Sequence, residues 1–402
     1  MKRLVLTLII LISASTATAE ESISLASYLK DVEAQNLTLK ASDASVEAAD
    51  ARSVGIALPQ PMVGFSQMRD DNGTASGFEV NQSIPFPTKL SNDRSARKFE
   101  AEAEKAAAHG LKNEVLAKAR LLYISVWAAQ ERIQFLREKR SAIQQHLKLS
   151  RASTRSDSSL TIHTLKAESD FDLLESEVLE AQQALKEQQI SLAEYARRSP
   201  SDYRPSLEKP PVSVAPAVKT LSSPFQLEAK KLTLAKLGAR ESEAEASWFP
   251  DFNLRYRDIG ATPMTPGFRE VMVGATIPLF FWEPNAISKS ARAEKLKGEA
   301  EYAQEKLSVE AKTSSLLARA ESLKKQLDLI SEKLLPRAEK RMRLVHNLAP
   351  RDMESLQDHR EAMEAFPDLK LRALDLRLQY ENTVAELSVF SSAISSAPKG
   401  AQ

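Results

Sequence analysis

The chain has no cysteine. Disulfides, thiolate metal sites, a cysteine nucleophile and a lipid-modified cysteine anchor are therefore excluded. Glycine is scarce, at 11 in 402 residues, which argues against a Gly-loop nucleotide enzyme. No P-loop, G-x-S-x-G or H-E-x-x-H string occurs. An excess of one charge is also missing. Lys+Arg 55 against Asp+Glu 54 leaves +1, which removes the basic field of a nucleic-acid binder. Beyond the N-terminus no stretch reaches the ~18 apolar residues of a membrane helix. What is present is 43% hydrophobic and 27% charged residues, rich in Ala, Glu, Lys, Leu and Arg. That is the composition of long helices.

Lys2 and Arg3 precede the apolar run Leu4–Ile12, and a small-residue stretch ends at Ala17-Thr18-Ala19. This reads as a secretory signal peptide over 1–19, cleaved after Ala19. The run is too short to serve comfortably as a membrane anchor.

The remainder reads as two copies of one unit. Asn36–Ala41 resembles Pro224–Ala229, Leu58–Pro61 resembles Phe249–Phe252, and Gln82–Pro87 resembles Ala275–Phe280. The offset is 188 at the first pair and 193 at the last. The expected segments are an N-terminal helix (20–57), a β-hairpin (58–88) and a long α-hairpin (89–199). After a linker (200–224), a helix (225–247), a β-hairpin (248–284) and a second long α-hairpin (285–390) follow, then a loose tail (391–402). The linker holds six of the 19 prolines, as expected of a spacer or a wrapped extended segment.

The long helices count in heptads. Val115, Ala119, Leu122, Val126, Ala129, Ile133, Leu136, Ile143 and Leu147 follow a 4-3 spacing interrupted only by Arg140. Phe171, Leu174, Val178, Ala181, Leu185, Leu192 and Tyr195 continue it on the returning arm. A 3.5-residue period predicts a left-handed antiparallel coiled coil. Helix 89–151 reverses at Ser156, Asp157, Ser158 and Ser159 before Leu160. An arm of ~60 residues spans roughly 90 Å. In the second copy the rise over 285–346 breaks at Leu348, Ala349 and Pro350, and 352–390 returns. Pro336 and Pro367 are expected to bend these arms or mark broken turns.

The strands alternate. Phe252, Leu254 and Tyr256 interleave with Asn253, Arg255 and Arg257, and Val271 and Val273 with Glu270 and Met272. Phe78 and Val80 interleave with Glu79 and Asn81. Two soluble hairpins packed on helices would fit this pattern. So would a membrane barrel with Phe252, Leu254, Tyr256, Val271 and Val273 toward lipid and Asn253, Arg255, Arg257, Glu79 and Asn81 toward the lumen. A barrel would need strands from several chains, because an open edge is not tolerated in lipid.

In the order of these strings, the chain resembles the TolC-like outer-membrane efflux family. The likeness rests on Ile23-Ser24-Leu25, Tyr28 and Asn36, and on Pro59-Gln60-Pro61 and Pro250-Asp251-Phe252. Gly274–Phe280 and Leu334–Glu339 complete it. It implies a mainly α chain with a small β part: a homotrimer with a twelve-stranded barrel in outer-membrane lipid and a helical tunnel through the periplasm. It implies no enzymatic activity and no cofactor. The implied partners are a periplasmic adaptor (membrane fusion) protein and an inner-membrane pump, with the resistance-nodulation-division type as candidate. The string Ile84–Leu90 is similar to members that serve cation-exporting pumps. The adaptor-contact tip would be 156–160 and 348–350, which lack the glycine of the family's tip motif. Asp352, Glu354 and Asp358 either favour the dipole at a helix start or ring the pore mouth. The alternative function is a coiled-coil adaptor or tether without a barrel. The histidines, at 109, 146, 163, 346 and 359, read as solvated helix residues, and Glu175, Glu177 and Glu180 as a solvated face.

Overall fold

The computed structural model describes residues 23–70, 73–154, 161–199, 205–221, 224–262, 265–346 and 353–392. The signal-peptide reading (1–19) and the reversal at 156–160 lie outside these residues, as does the second tip, 348–350.

The N-terminal segment is two helices rather than one: α1 (Leu25–Gln35) and α2 (Leu37–Ser53). Asn36 divides them with an extended backbone. Its side-chain oxygen accepts from the backbone N–H of Thr38 at 2.9 Å and of Leu39 at 3.3 Å, capping α2. A local side-chain cap thus overrides helical continuity.

A hairpin, β1 (Met62–Asp70) and β2 (Gly73–Ile84), leads into α3 (Pro87–Thr154), whose 68 residues span about 100 Å at helix rise. Pro87 stands at its first position, where the missing N–H costs nothing. Helix α4 (Thr161–Tyr195) returns alongside. The heptad seam is present: Ile133, Leu136 and Ile143 pack on Leu174, Val178 and Ala181. Arg140, the break in the heptads, lies with its guanidinium 5.1 Å from the Phe171 ring and 3.5 Å from Glu175. Its stem and face fill the seam while its charge stays at the rim.

Between Val115 and Ala128 helix α3 is buried on several faces, not one. Leu116, Tyr123, Ile124 and Trp127 join the heptad positions in a core with α1, the end of α4 and Leu207. Residues 205–217 form a strap across the helices. Ile23 pairs with Leu207 in a parallel bridge. The strap ends in the short helix α5 (Val218–Leu221).

The second copy opens with α6 (Phe225–Glu245), then β3 (Asp251–Ile259) and β4 (Phe268–Thr276). Helix α7 (Trp282–Leu329) passes through a π-helical turn (Ile330–Leu334) into α8 (Leu335–His346), and α9 (Met353–Val389) returns. Val309, Thr313, Ala320, Leu323, Leu327 and Ile330 form the buried stripe of the rising arm. The rod does not break at Pro336. The π turn just before it accommodates the absent proline donor. Helix α9 likewise continues through Pro367.

The tail is not loose from its first residue. Ser391 is buried and accepts from Asn113 Nδ2 at 3.0 Å, and Ser392 N–H donates to Thr220 O at 2.8 Å. Among the described residues, no helix is long and apolar enough to cross a membrane.

Candidate functional site: a two-faced sheet on long helical rods

The four strands form one antiparallel sheet in the order β1-β2-β3-β4. The two hairpins, far apart in sequence, are joined by β2 and β3, with Val80 opposite Tyr256 and Glu79 opposite Arg257. At Gly77 a Cβ would lie 2.3 Å from Asp258 O, so this crossing admits only glycine.

Directly paired residues share a face. Glu79, Arg257 and Glu270 form one row across β2, β3 and β4. Arg257 binds Glu79 at 2.9 Å and lies 3.8 Å from Glu270, so one cation serves two acids. Asn81, Arg255 and Met272 form the next row, and Arg255 Nη2 reaches Met272 Sδ at 3.3 Å. Asn253 follows, donating to Thr276 Oγ1 at 3.3 Å. Every residue expected toward the lumen is on this face. Glu270, Met272 and Thr276 of β4 join this face, as the alternation along β4 predicts.

The opposite face carries Phe252, Leu254, Tyr256, Val271 and Val273 together with Val63, Phe65, Phe78 and Val80. Val63, Phe65, Val271 and Val273 are 70, 76, 67 and 73% exposed. A contiguous apolar face left this open calls for an apolar medium. Trp248, Phe249, Phe280, Phe281 and Trp282 extend it, also exposed, to the strand–helix junctions. Aromatics at such positions suit a membrane–water boundary.

Asp251 fixes the junction between sheet and helices, and the sequence reading missed this role. Its carboxylate accepts from Lys89 Nζ at 2.8 Å and from Phe86 N–H at 3.0 Å. Phe86 stacks on Phe249 at 4.8 Å.

At the far end of the helices, salt bridges join the two α-hairpins. Lys139–Asp368 (2.8 Å) and Lys370–Glu138 (2.7 Å) link α3 to α9, and Arg360 links α9 to Asp170 of α4. Arg132 pairs with Asp375 in the same seam. Asp358 is exposed, 3.9 Å from Arg341 of α8. Asp352 and the side chain of Glu354 lie outside the described residues. Glu175, Glu177 and Glu180 are exposed as expected. His109 is exposed as well, but His146 and His359 are buried, which corrects the solvated reading for that pair. Each lies on the inner face of its own helix, and only the packing of α3 against α9 reveals that both are covered.

A two-faced four-stranded sheet carried on a duplicated pair of helical rods is the geometry in hand. Residues 218–390 match the family model described as outer membrane efflux protein. No curated protein matches the sequence significantly. Solved structures of outer membrane channels share the fold along nearly the whole chain. A structure of CusC, concerned with folding and transmembrane channel formation, superposes with a TM-score of 0.74 at 14% identity, covering 92% of each chain. A membrane protein from Pseudomonas aeruginosa gives 0.76 at 14% identity, covering 93% of this chain and 92% of that one. The Campylobacter jejuni CmeC outer membrane channel gives 0.73 at 13% identity, covering 93% and 87%. The resemblance to outer membrane efflux proteins thus stands on the sequence of the second repeat and on the fold of both.

Proposed function

We infer that this chain is the outer-membrane channel of a tripartite efflux system. It acts as a passive duct, with no reaction of its own, exporting small molecules or metal cations across the periplasm and outer membrane. The observation that carries the reading is the sheet: one face polar and ion-paired through Arg257, the other apolar and uncovered. A tether without a barrel would have no use for such a sheet. The sheet's outer strands, β1 and β4, each leave one edge open. In lipid those backbone groups must be paired, and three copies of four strands would close a twelve-stranded barrel. The α-hairpins would continue it as a periplasmic tunnel. Export would rely on an adaptor protein and an inner-membrane pump. The string Ile84–Leu90 supports the cation-exporting branch, with a resistance-nodulation-division pump.

In this reading Asn253, Arg255, Arg257, Glu79 and Asn81 line the lumen, and Phe252, Leu254, Tyr256, Val271 and Val273 face lipid. The tips, 156–160 and 348–350, meet the adaptor. Asp352, Glu354 and Asp358 stand at the pore mouth, where an acidic ring would favour cations.

Light scattering on detergent-solubilised outer-membrane protein is expected to show three chains per particle. A stable outer-membrane monomer would sink the duct reading. At the tips, Leu160→Asp and Leu348→Asp would place a charge in the adaptor contact. The expected result is loss of export and of adaptor crosslinking, with trimer level unchanged. Intact crosslinking in both variants would move the docking site elsewhere.

A further inference from the structure

Toward the tips the helices lie side by side in the order α4, α3, α9, α8, and toward the sheet in the order α2, α3, α6, α7. Among the described residues, each row ends in two helices that are covered on one side only.

At the tip the two end helices carry opposite charge. Helix α4 holds eight carboxylates against Lys166 and Lys186, whereas α8 holds Arg337, Lys340, Arg341 and Arg343 against Glu339. Part of this charge is matched inside the chain. Glu168, Asp170 and Glu175 pair with Arg151, Arg360 and Arg140, Arg341 lies 3.7 Å from Glu361, and Arg343 pairs with Glu339. The rest is not. Asp172, Glu180 and Glu187 at one end, and Lys333, Arg337 and Lys340 at the other, are exposed and form no ion pair among the described residues.

These charges stand among uncovered leucines. On α4, Leu165, Asp172 and Leu179 recur every seven residues, about half a turn from the seam residues Leu174, Val178 and Ala181. On the other end helix Leu329, Lys333, Arg337, Lys340 and Leu344 recur at steps of four and three. Leu165, Leu179, Leu329 and Leu344 are 59, 62, 48 and 59% exposed, more than a finished helix face leaves open.

The two faces also match in height. Arg360 of α9 reaches Asp170 of α4, and its neighbour Glu361 lies beside Arg341 of α8, so Asp170 and Arg341 are level. Helix α8 runs toward the tip and α4 away from it. Counting from that level, Lys340 stands level with Asp172, Lys333 with Glu180 and Leu344 with Leu165, each to within a turn. Nearer the sheet, Arg52 of α2 and Lys236 of α6 both approach Glu100, and Gly298 of α7 meets Leu237. There the exposed stripe Leu37, Ala41, Ala44, Ala48 and Ala51 of α2 is level with the exposed Ala300, Ala303, Leu307 and Ala311 of α7.

We propose that the outer face of α7 and α8 on one copy of this chain docks on the outer face of α2 and α4 on the next. Because the two faces differ, the contact is head-to-tail and closes into a ring. Lys340 then meets Asp172 of the next copy, and Lys333 meets Glu180. The contact has two chemistries: alanine and leucine near the sheet, matched charge near the tip. A ring of three rests on the channel reading; the pairing of faces does not.

Disulfide crosslinking of the full-length protein tests this. The chain lacks cysteine, so two introduced cysteines report one contact. Within one chain α4 and α8 are three interhelical spacings apart, roughly 25–30 Å. That is beyond the ~7 Å between Cα atoms that a disulfide bridges. Oxidation of Leu165→Cys/Leu344→Cys is therefore expected to join separate chains, and so is oxidation of Ala48→Cys/Ala303→Cys. Raising NaCl from about 0.05 to about 1 M should slow the first crosslink roughly five- to tenfold and leave the second unchanged. At low salt Lys333→Glu/Lys340→Glu should slow the first crosslink to a similar extent. Adding Asp172→Lys/Glu180→Lys to that variant should restore it. A salt-invariant first crosslink, or a loss that the second charge reversal fails to rescue, overturns the charge-matched contact. Trimers in light scattering with neither crosslink overturn the interface as a whole. Both crosslinks and the rescue, without a conducting pore in planar bilayers, support the interface and overturn the channel reading instead.

Discussion

An arginine at Leu254 is expected to cost the assembled protein about 2–4 kcal/mol, and the same residue at Asn253 close to nothing. The two positions are adjacent on β3 and differ only in face. Leu254 pairs with Val273 on the uncovered apolar face, whereas Asn253 pairs with Gly274 on the face shared with Arg255 and Arg257. If the apolar face meets hydrocarbon, the charge at 254 loses its hydration with nothing nearby to replace it. At 253 it would stay on the polar face that already bears Arg255 and Arg257. The measurement is trimer yield and denaturant midpoint after folding into lipid vesicles. Val273→Arg should repeat the loss and Thr276→Arg should not. Equal losses at 254 and 253 would mean that both faces see the same solvent, and the barrel reading would fail with them.

The second large effect is expected far from the membrane. Glu381 is fully buried, and its Oε1 accepts the Ser213 N–H of the strap at 3.0 Å. Arg377, one turn back, lies 3.9 Å from the same carboxylate, 4.5 Å from the Trp127 ring, and donates to Pro210 O. Tyr380 adds a hydrogen bond to Ser213 O at 2.9 Å. Burial lowers the proton affinity of the Arg377 and Arg120 guanidiniums while Glu381 opposes that shift. Burial also raises the Tyr380 phenol, and Glu381 adds to the rise. Glu381 thus acts on the buried Arg377 and the partly buried Arg120 and holds the strap, with Glu131 adding to the field at Arg377. Removing one partner of a buried ion pair costs about 3–5 kcal/mol, because the other charge stays behind. Glu381→Ala should lose stability in that range in chemical denaturation, and proteolysis should open the strap at 205–217 first. Glu381→Ala with an unchanged midpoint would show that the strap is held by packing alone.

The strands and rods could be read directly from residue order, because each rests on a local period. Val115 to Leu147 repeats every 3.5 residues, so one seam against a partner helix follows from backbone geometry. Phe252 to Arg257 alternates, so two unlike faces follow from the pleat whatever the sheet packs against. The two sets of residues therefore fall on opposite faces of one sheet, as the alternation requires. A period reports that a face is covered, not what covers it. Nothing local indicates that Tyr123 and Ile124, off the heptad stripe, are buried, because α1 and the strap arrive from distant parts of the chain. Asn36 ends α1 through one side-chain cap, a choice that helical propensity does not make. His146 and His359 are separated by more than two hundred positions. Each alone reads as a polar residue suited to water, and only the antiparallel approach of α3 and α9 buries them side by side. Glu381 and Ser213 depend in the same way on the strap's path. Alternation and heptads, set by bonds between neighbouring residues, were determined by the sequence alone. The buried polar partnerships depend on which remote surfaces exclude water together, and that was decided by the tertiary structure.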